Sequence, residues 1–137
     1  MHRTGFVLAA LALLVFPAAG LASDAESVLS RWYDALARAD RTALDRLLAN
    51  DAVIRLEDVG IEQTKAEFLD SIEEWEIAVD GAGIRHRIEQ EEGRSVTALV
   101  CYDFPDNDLL TREWFVLSGD RISESVQASV AENCAEF

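Results

Sequence analysis

After Gly81-Ala82-Gly83 the hydrophobic period of this chain changes from 3.6 residues to two, and no other feature constrains the fold as much. Before the change the apolar residues read as helices. Val28, Leu29, Trp32, Ala35, Leu36 and Ala39 share one face behind a capping box at Ser23-Asp24-Ala25-Glu26, with Tyr33 flanking the stripe. That helix ends near Asp40. Leu44, Leu47 and Leu48 line a shorter second helix that stops at Asn50-Asp51. Residues 52–58 read as a strand ended by Gly60. Thr64-Lys65-Ala66-Glu67 is a second capping box, opening a third helix with Phe68, Leu69, Ile72 and Trp75 on its apolar side.

After the change the chain alternates. Ile84, His86 and Ile88 share a face, and Val96, Ala98, Val100, Tyr102 and Phe104 share another. Turn residues at 91–94, 105–107 and 118–121 separate these strands from one containing Trp114 to Leu117 and from a last strand at about 122–126. Helices gathered before a strand meander imply an α+β fold, with the helices on one face of a curved antiparallel sheet. The strand at 96–104 is apolar on both registers, so both faces of the sheet need cover.

The first 22 residues do not belong to that domain. His2 and Arg3 precede an apolar run from Phe6 to Phe16, and Gly20-Leu21-Ala22 makes a small-residue exit. This is the pattern of a cleavable secretory signal at 1–22, leaving a single domain at 23–137. The run is shorter than the roughly 18–20 residues of a membrane span, and Pro17 and Gly20 interrupt it. Export, to a periplasm or out of the cell, makes a bridge between the two cysteines, Cys101 and Cys134, the expected state. The net charge of −14 disfavours nucleic acid and anionic membrane surfaces as partners. One histidine after the leader, with no carboxylate at metal spacing, gives no zinc or iron site. No cofactor motif appears: Gly81-Ala82-Gly83 lacks the strand-to-helix context of a phosphate loop.

The aromatic first helix running into Ala35-Leu36-Ala37-Arg38-Ala39-Asp40, the leucine helix, Leu48-Ala49-Asn50-Asp51-Ala52-Val53, the Thr64 cap and the closing meander together carry a resemblance. The chain resembles the nuclear transport factor 2-like superfamily, in its SnoaL-like and ketosteroid isomerase-like branch. The resemblance spans essentially all of 23–137. It implies a cone-shaped roll in which the sheet wraps around three N-terminal helices and an apolar pocket opens at one end. It also implies dimers through the outer sheet face. Members include isomerases, cyclases, dehydratases and epoxide hydrolases, and also domains without chemistry, so the fold leaves function open.

The isomerase branch sets a tyrosine on the first helix, a base aspartate on the first strand and a protonated aspartate on a later strand. Alignment by that resemblance puts Trp32, Leu56 and Glu113 at the three places. Leu56 cannot take a proton, so the isomerase mechanism is not expected. Asp58, His86 and Glu113 remain as a candidate catalytic set: a carboxyl in an apolar pocket is pushed toward its neutral form, and histidine titrates near neutrality. Each also has a plainer role, Asp58 as a solvated turn residue, His86 as a partly buried strand residue and Glu113 as half of an ion pair. Trp32, Leu56, Phe115 and Leu117 are expected to line a ligand pocket. Trp114 and Val116 fall on the opposite sheet face, where a homodimer or a C-terminal tail held through Cys134 would cover them. The sequence thus favours a pocket-bearing domain that binds a small apolar or amphipathic ligand, or serves as an interaction module. The alternative is a cofactor-independent isomerase, lyase or hydrolase acting on a carbonyl- or epoxide-type substrate through Glu113 with His86 or Asp58.

Overall fold

The computed structural model describes residues 24–137, so the expected leader and the Ser23 cap lie outside the described residues. Helix α1 (Asp24–Ala37) buries the expected stripe: Val28, Leu29, Trp32, Ala35 and Leu36 are all in the core. It ends in a paired C-terminal cap. The Asp40 amide donates to the Ala35 carbonyl at 2.9 Å and the Ala39 amide to the Leu36 carbonyl at 3.1 Å. Ala39 sits at φ 48° to make that cap, a conformation usually left to glycine. The Asp40 carboxylate then accepts from the Ala43 amide at 3.0 Å and caps α2 (Arg41–Leu47).

Strand β1 (Leu48–Leu56) starts earlier than the sequence implies. Leu48, which shares a helical stripe with Leu44 and Leu47, is already extended and pairs with Ile122. The register with the neighbouring strand shifts between Leu48 and Val53, and Asn50 and Asp51 are exposed there. Their turn chemistry serves an irregular stretch of strand rather than a helix end. The strand also ends earlier than expected. Glu57–Val59 form a 3₁₀ turn closed by Gly60 at φ 63°. A four-residue edge strand, β2 (Ile61–Thr64), follows; its polar Glu62 and Gln63 hide it from pattern reading.

The Thr64 capping box is present in full, the Thr64 hydroxyl and Glu67 carboxylate each accepting at 3.2 Å. The third helix breaks at Ser71 into α3 (Lys65–Asp70) and α4 (Ile72–Val79). The Ser71 hydroxyl donates back to the Phe68 carbonyl at 2.6 Å, a local bond that competes with straight helix. Four antiparallel strands complete the chain: β3 (Gly83–Glu92), β4 (Ser95–Asp103), β5 (Asp108–Ser118) and β6 (Arg121–Ala131). The sheet order is β2-β1-β6-β5-β4-β3, antiparallel except where β1 meets β6. The result is the α+β cone, an open curved sheet around the helices.

Inward residues of α1, β1, β4 and β5 make the main core. A second, smaller apolar cluster lies on the outer face: Leu99, Cys101 and Leu110 are buried under Ala131, Cys134 and Phe137. Cys101 and Cys134 are bridged, 33 positions apart in sequence. Beyond the bridge the Phe137 ring packs under the guanidinium groups of Arg85 at 4.7 Å and Arg87 at 5.4 Å. The C-terminal tail therefore covers part of the outer face, while Trp114 stays 39% exposed beyond it. Among the described residues no helix is long and apolar enough to cross a membrane.

Reduction of the bridge is expected to lower stability by about 3 kcal/mol through the freed loop. Urea unfolding with and without a dithiol reductant, and of Cys134→Ser, measures this. An unchanged midpoint contradicts a structural role for the bridge.

Candidate functional site

Strand alternation on β5 points Thr111, Glu113, Phe115 and Leu117 into the cone, where all four are buried. Glu113 is 2% exposed and pairs across the sheet with Ala98 and Gln127, so no arginine faces it in the ladder. Its carboxyl is met by three hydroxyl groups instead. Tyr33 of α1 donates to Oε1 at 2.9 Å. Tyr102 of β4 and Thr111, two residues back on β5, donate to Oε2 at 2.6 Å and 2.7 Å.

Burial pushes the Glu113 carboxyl above the usual range, against the three hydrogen bonds and the charge of His86, which pull it down. Desolvation dominates because hydroxyl donors replace only part of the hydration of a carboxylate. The same burial, reinforced by the charge of Glu113, drives the Tyr33 and Tyr102 phenols well above their ordinary value. Both remain O–H donors across the physiological range.

A cavity of about 380 Å³ opens over this cluster. Its walls are mainly apolar, with Trp32 and Leu36 from α1, Ile54 and Leu56 from β1, and Phe68 and Trp75 from the α3–α4 pair. Tyr102, Glu113, Ser125 and Gln127 supply the polar side. The exposed Ile61 and Glu74 border it on the solvent side. Trp32 stacks on Phe68 at 5.5 Å, and the Trp75 indole N–H donates to the Leu36 carbonyl at 2.8 Å, which fixes two of the walls.

The residues singled out in the sequence separate into two groups. Trp32, Leu56 and Glu113 line the cavity. Phe115 and Leu117 are buried in the core and do not line it; Phe115 stands edge-on to Trp32 and Tyr33 at 6.4 Å and 6.3 Å. His86 lies beside the cluster. Its ring stacks on Tyr33 at 4.9 Å, and its Nε2 is 2.8 Å from the Glu26 carboxylate. Asp58 is on the exposed 3₁₀ turn, where its carboxylate accepts from the Ser129 amide at 2.8 Å. Hydrogen bonding by the Ser129 side chain, and then by its amide, holds the Asp58 pKa below the usual range. The inward set of Asp58, His86 and Glu113 is therefore not assembled: the strand ends two residues before Asp58, and the Tyr33 ring occupies the space beside His86. Among the described residues no group of three or more potential metal ligands is gathered.

Tyr33, Tyr102 and Thr111 are the residues that sequence reasoning missed. Tyr102 already lay on the inward register of β4, and Thr111 lies two residues from Glu113, so strand alternation marked both. Tyr33 carries a weaker signal, because it only flanks the apolar stripe of α1.

An open curved sheet wrapped around N-terminal helices, with a buried acid under an apolar cavity, defines a class of small cone-shaped α+β domains. The fold is that of the nuclear transport factor 2-like superfamily. A candidate ketosteroid isomerase from Kribbella flavida DSM 17836 superposes with a TM-score of 0.65 at 15% identity, over 79% of this chain and 78% of that one. A nuclear transport factor 2-like protein of unknown function from Burkholderia xenovorans LB400 gives 0.66 at 15% identity, over 83% and 87%. A candidate polyketide cyclase from Streptomyces antibioticus gives 0.62 at 16% identity, over 79% and 92%. No family model and no curated protein matches the chain.

The raised Glu113 pKa has a defined stability signature. Its contribution is fully present below the ordinary value of 4.5 and is lost as pH rises through the higher folded value. Across that window wild-type stability should fall relative to Glu113→Gln, read as unfolding free energy against pH. Glu113→Ala, which leaves three buried hydroxyls without their acceptor, should cost about 3 kcal/mol and more than Glu113→Gln. Parallel pH profiles for wild type and Glu113→Gln would contradict the shift.

Proposed function

We propose that the chain is an exported domain that binds a small apolar molecule carrying a carbonyl-type acceptor, without chemistry of its own. The observation that carries this reading is the apolar cavity of about 380 Å³ with a buried carboxyl at its polar side. The volume lies within the roughly 300–1,000 Å³ of small-molecule sites, which pair apolar walls with a few polar groups. Once protonated, Glu113 carries an O–H of its own. The three hydroxyls around it already donate to it, so a ligand oxygen in the cavity is the natural acceptor for that proton's hydrogen bond.

An isomerase, lyase or hydrolase working through Glu113 with His86 or Asp58 has less support. Neither His86 nor Asp58 lines the cavity, and Leu56 stands where the resemblance puts a base. The names of the structural neighbours include an isomerase and a cyclase, and at their low identity these names inform the fold alone. Export is supported by the leader pattern and the bridged cysteines. A homodimer through the outer face is supported by Trp114 and Val130, which are 39% and 41% exposed beside the area that the tail covers.

Trp32 and Trp75 both line the cavity and report on its contents by fluorescence. Titration with an aryl ketone and with the matching hydrocarbon should show saturable binding of both, the ketone about tenfold tighter, equivalent to one net hydrogen bond. Glu113→Ala should remove the ketone's advantage and leave hydrocarbon binding in place. Absence of saturable binding by either probe contradicts the reading.

A further inference from the structure

A second concavity, of about 530 Å³, lies on the solvent side of α1 and is independent of the apolar cavity. Three elements build it. Arg31 and Arg38 project from α1 together with Asp34, Arg46 projects from α2, and Asp120 and Arg121 come from the β5–β6 turn. Four of the chain's 12 lysines and arginines therefore gather at one cleft, in a protein whose net charge is −14.

The acids present offset only part of this group: Asp34 and Asp120 line the cleft, and Asp40 lies 3.8 Å from Arg38. The Asp34 carboxylate is bound by Arg38 at 2.6 Å. Nearby Asp45 is bound by Lys65 at 2.9 Å, and the charge of Arg121 adds only a minor pull on it. Arg31 gives its Nε to the Ser27 carbonyl at 3.2 Å, which leaves its two terminal nitrogens without a hydrogen bond. Arg46 and Arg121 make no hydrogen bond or ion pair among the described residues. Four guanidinium groups against the two carboxylates of Asp34 and Asp120 leave the cleft with a net positive charge, and an exposed arginine adds nothing here to the core. The folded chain thus holds open donors from three elements around a concave surface. Guanidinium groups in that arrangement match carboxylate and phosphate oxygens two at a time. Screening over about 8 Å at physiological salt weakens the influence of the more distant surface acids on the cleft.

We propose that this cleft binds a small multivalent oxyanion, a polycarboxylate or phosphate-bearing molecule, held by Arg31, Arg46 and Arg121. The site does not depend on the ligand in the apolar cavity, and α1 separates the two: Trp32 and Leu36 face one, Arg31 and Arg38 the other.

The test is titration of ¹⁵N-labelled protein with inorganic pyrophosphate and with tricarballylate, followed through the arginine Nε–Hε and backbone signals. Sodium chloride at matched ionic strength serves as the reference. The expected result is saturable one-to-one binding with shifts centred on Arg31, Arg46 and Arg121. Arg46→Ala and Arg121→Ala should each weaken it about tenfold. Arg46→Lys, which keeps the charge and loses the two-pronged geometry, should fall between. Arg112→Ala, in the middle of β5 where its partner is Glu89, removes the same charge away from the cleft and should leave binding unchanged. Shifts that chloride reproduces, shifts that never saturate, or an equal loss in Arg112→Ala would overturn the proposal.

Discussion

A carboxyl group taken out of water has to be met by donors, and the interior of this cone is arranged around that requirement at Glu113. The acid sits on the middle of β5, facing inward, with 2% of its surface exposed. Tyr33 reaches it from α1, Tyr102 from β4 and Thr111 from its own strand. One helix and two strands are thereby tied to a single point. Among the described residues no buried side-chain nitrogen or oxygen is left without a partner, so the cluster is internally complete. Three hydroxyl donors meet the carboxyl, and the Tyr33 ring stands between it and the His86 imidazole that stacks on it. On the proposed reading, the arrangement holds and orients a ligand.

Much of this was legible in the sequence. The change of period at Gly81 to Gly83 separates the helical half from the meander, and the Thr64 capping box marks a real helix start. With the register set by the family resemblance, alternation also places Leu56, Glu113, Phe115 and Leu117 inward. What was hidden is local or long-range. Leu48 continues a leucine stripe, and pairing with Ile122, more than 70 residues away, draws it into the sheet. Ser71 breaks a helix through one side-chain hydrogen bond that no periodicity reveals. Asp58 carries the alternation of β1 past its end, where Gly60 turns the chain and exposes the acid. Tyr33 meets Glu113 across 80 residues, a contact that depends on the angle between helix and sheet rather than on spacing.

The outer face shows how the chain solves a second constraint. β4 is apolar on both sides, so its outward residues Leu99 and Cys101 need cover. The Cys101–Cys134 bridge and the Phe137 ring, held under two arginines, bring the C-terminal tail over them. Trp114 lies past the reach of that tail. One part of that face is thus covered by the tail, and the part at Trp114 is exposed.

The state of Glu113 governs the account of both stability and binding, so its titration is the most direct measurement. The ¹³C signal of the Glu113 side-chain carboxyl, followed by NMR against pH in the folded protein, reports it alone. The expected result is a midpoint above the ordinary glutamate value of 4.5, moving upward on binding of a ketone probe and absent in Glu113→Gln. A midpoint at or below 4.5 would mean that the three hydroxyls outweigh burial, and that Glu113 is a fixed anion rather than an acid able to donate to a ligand.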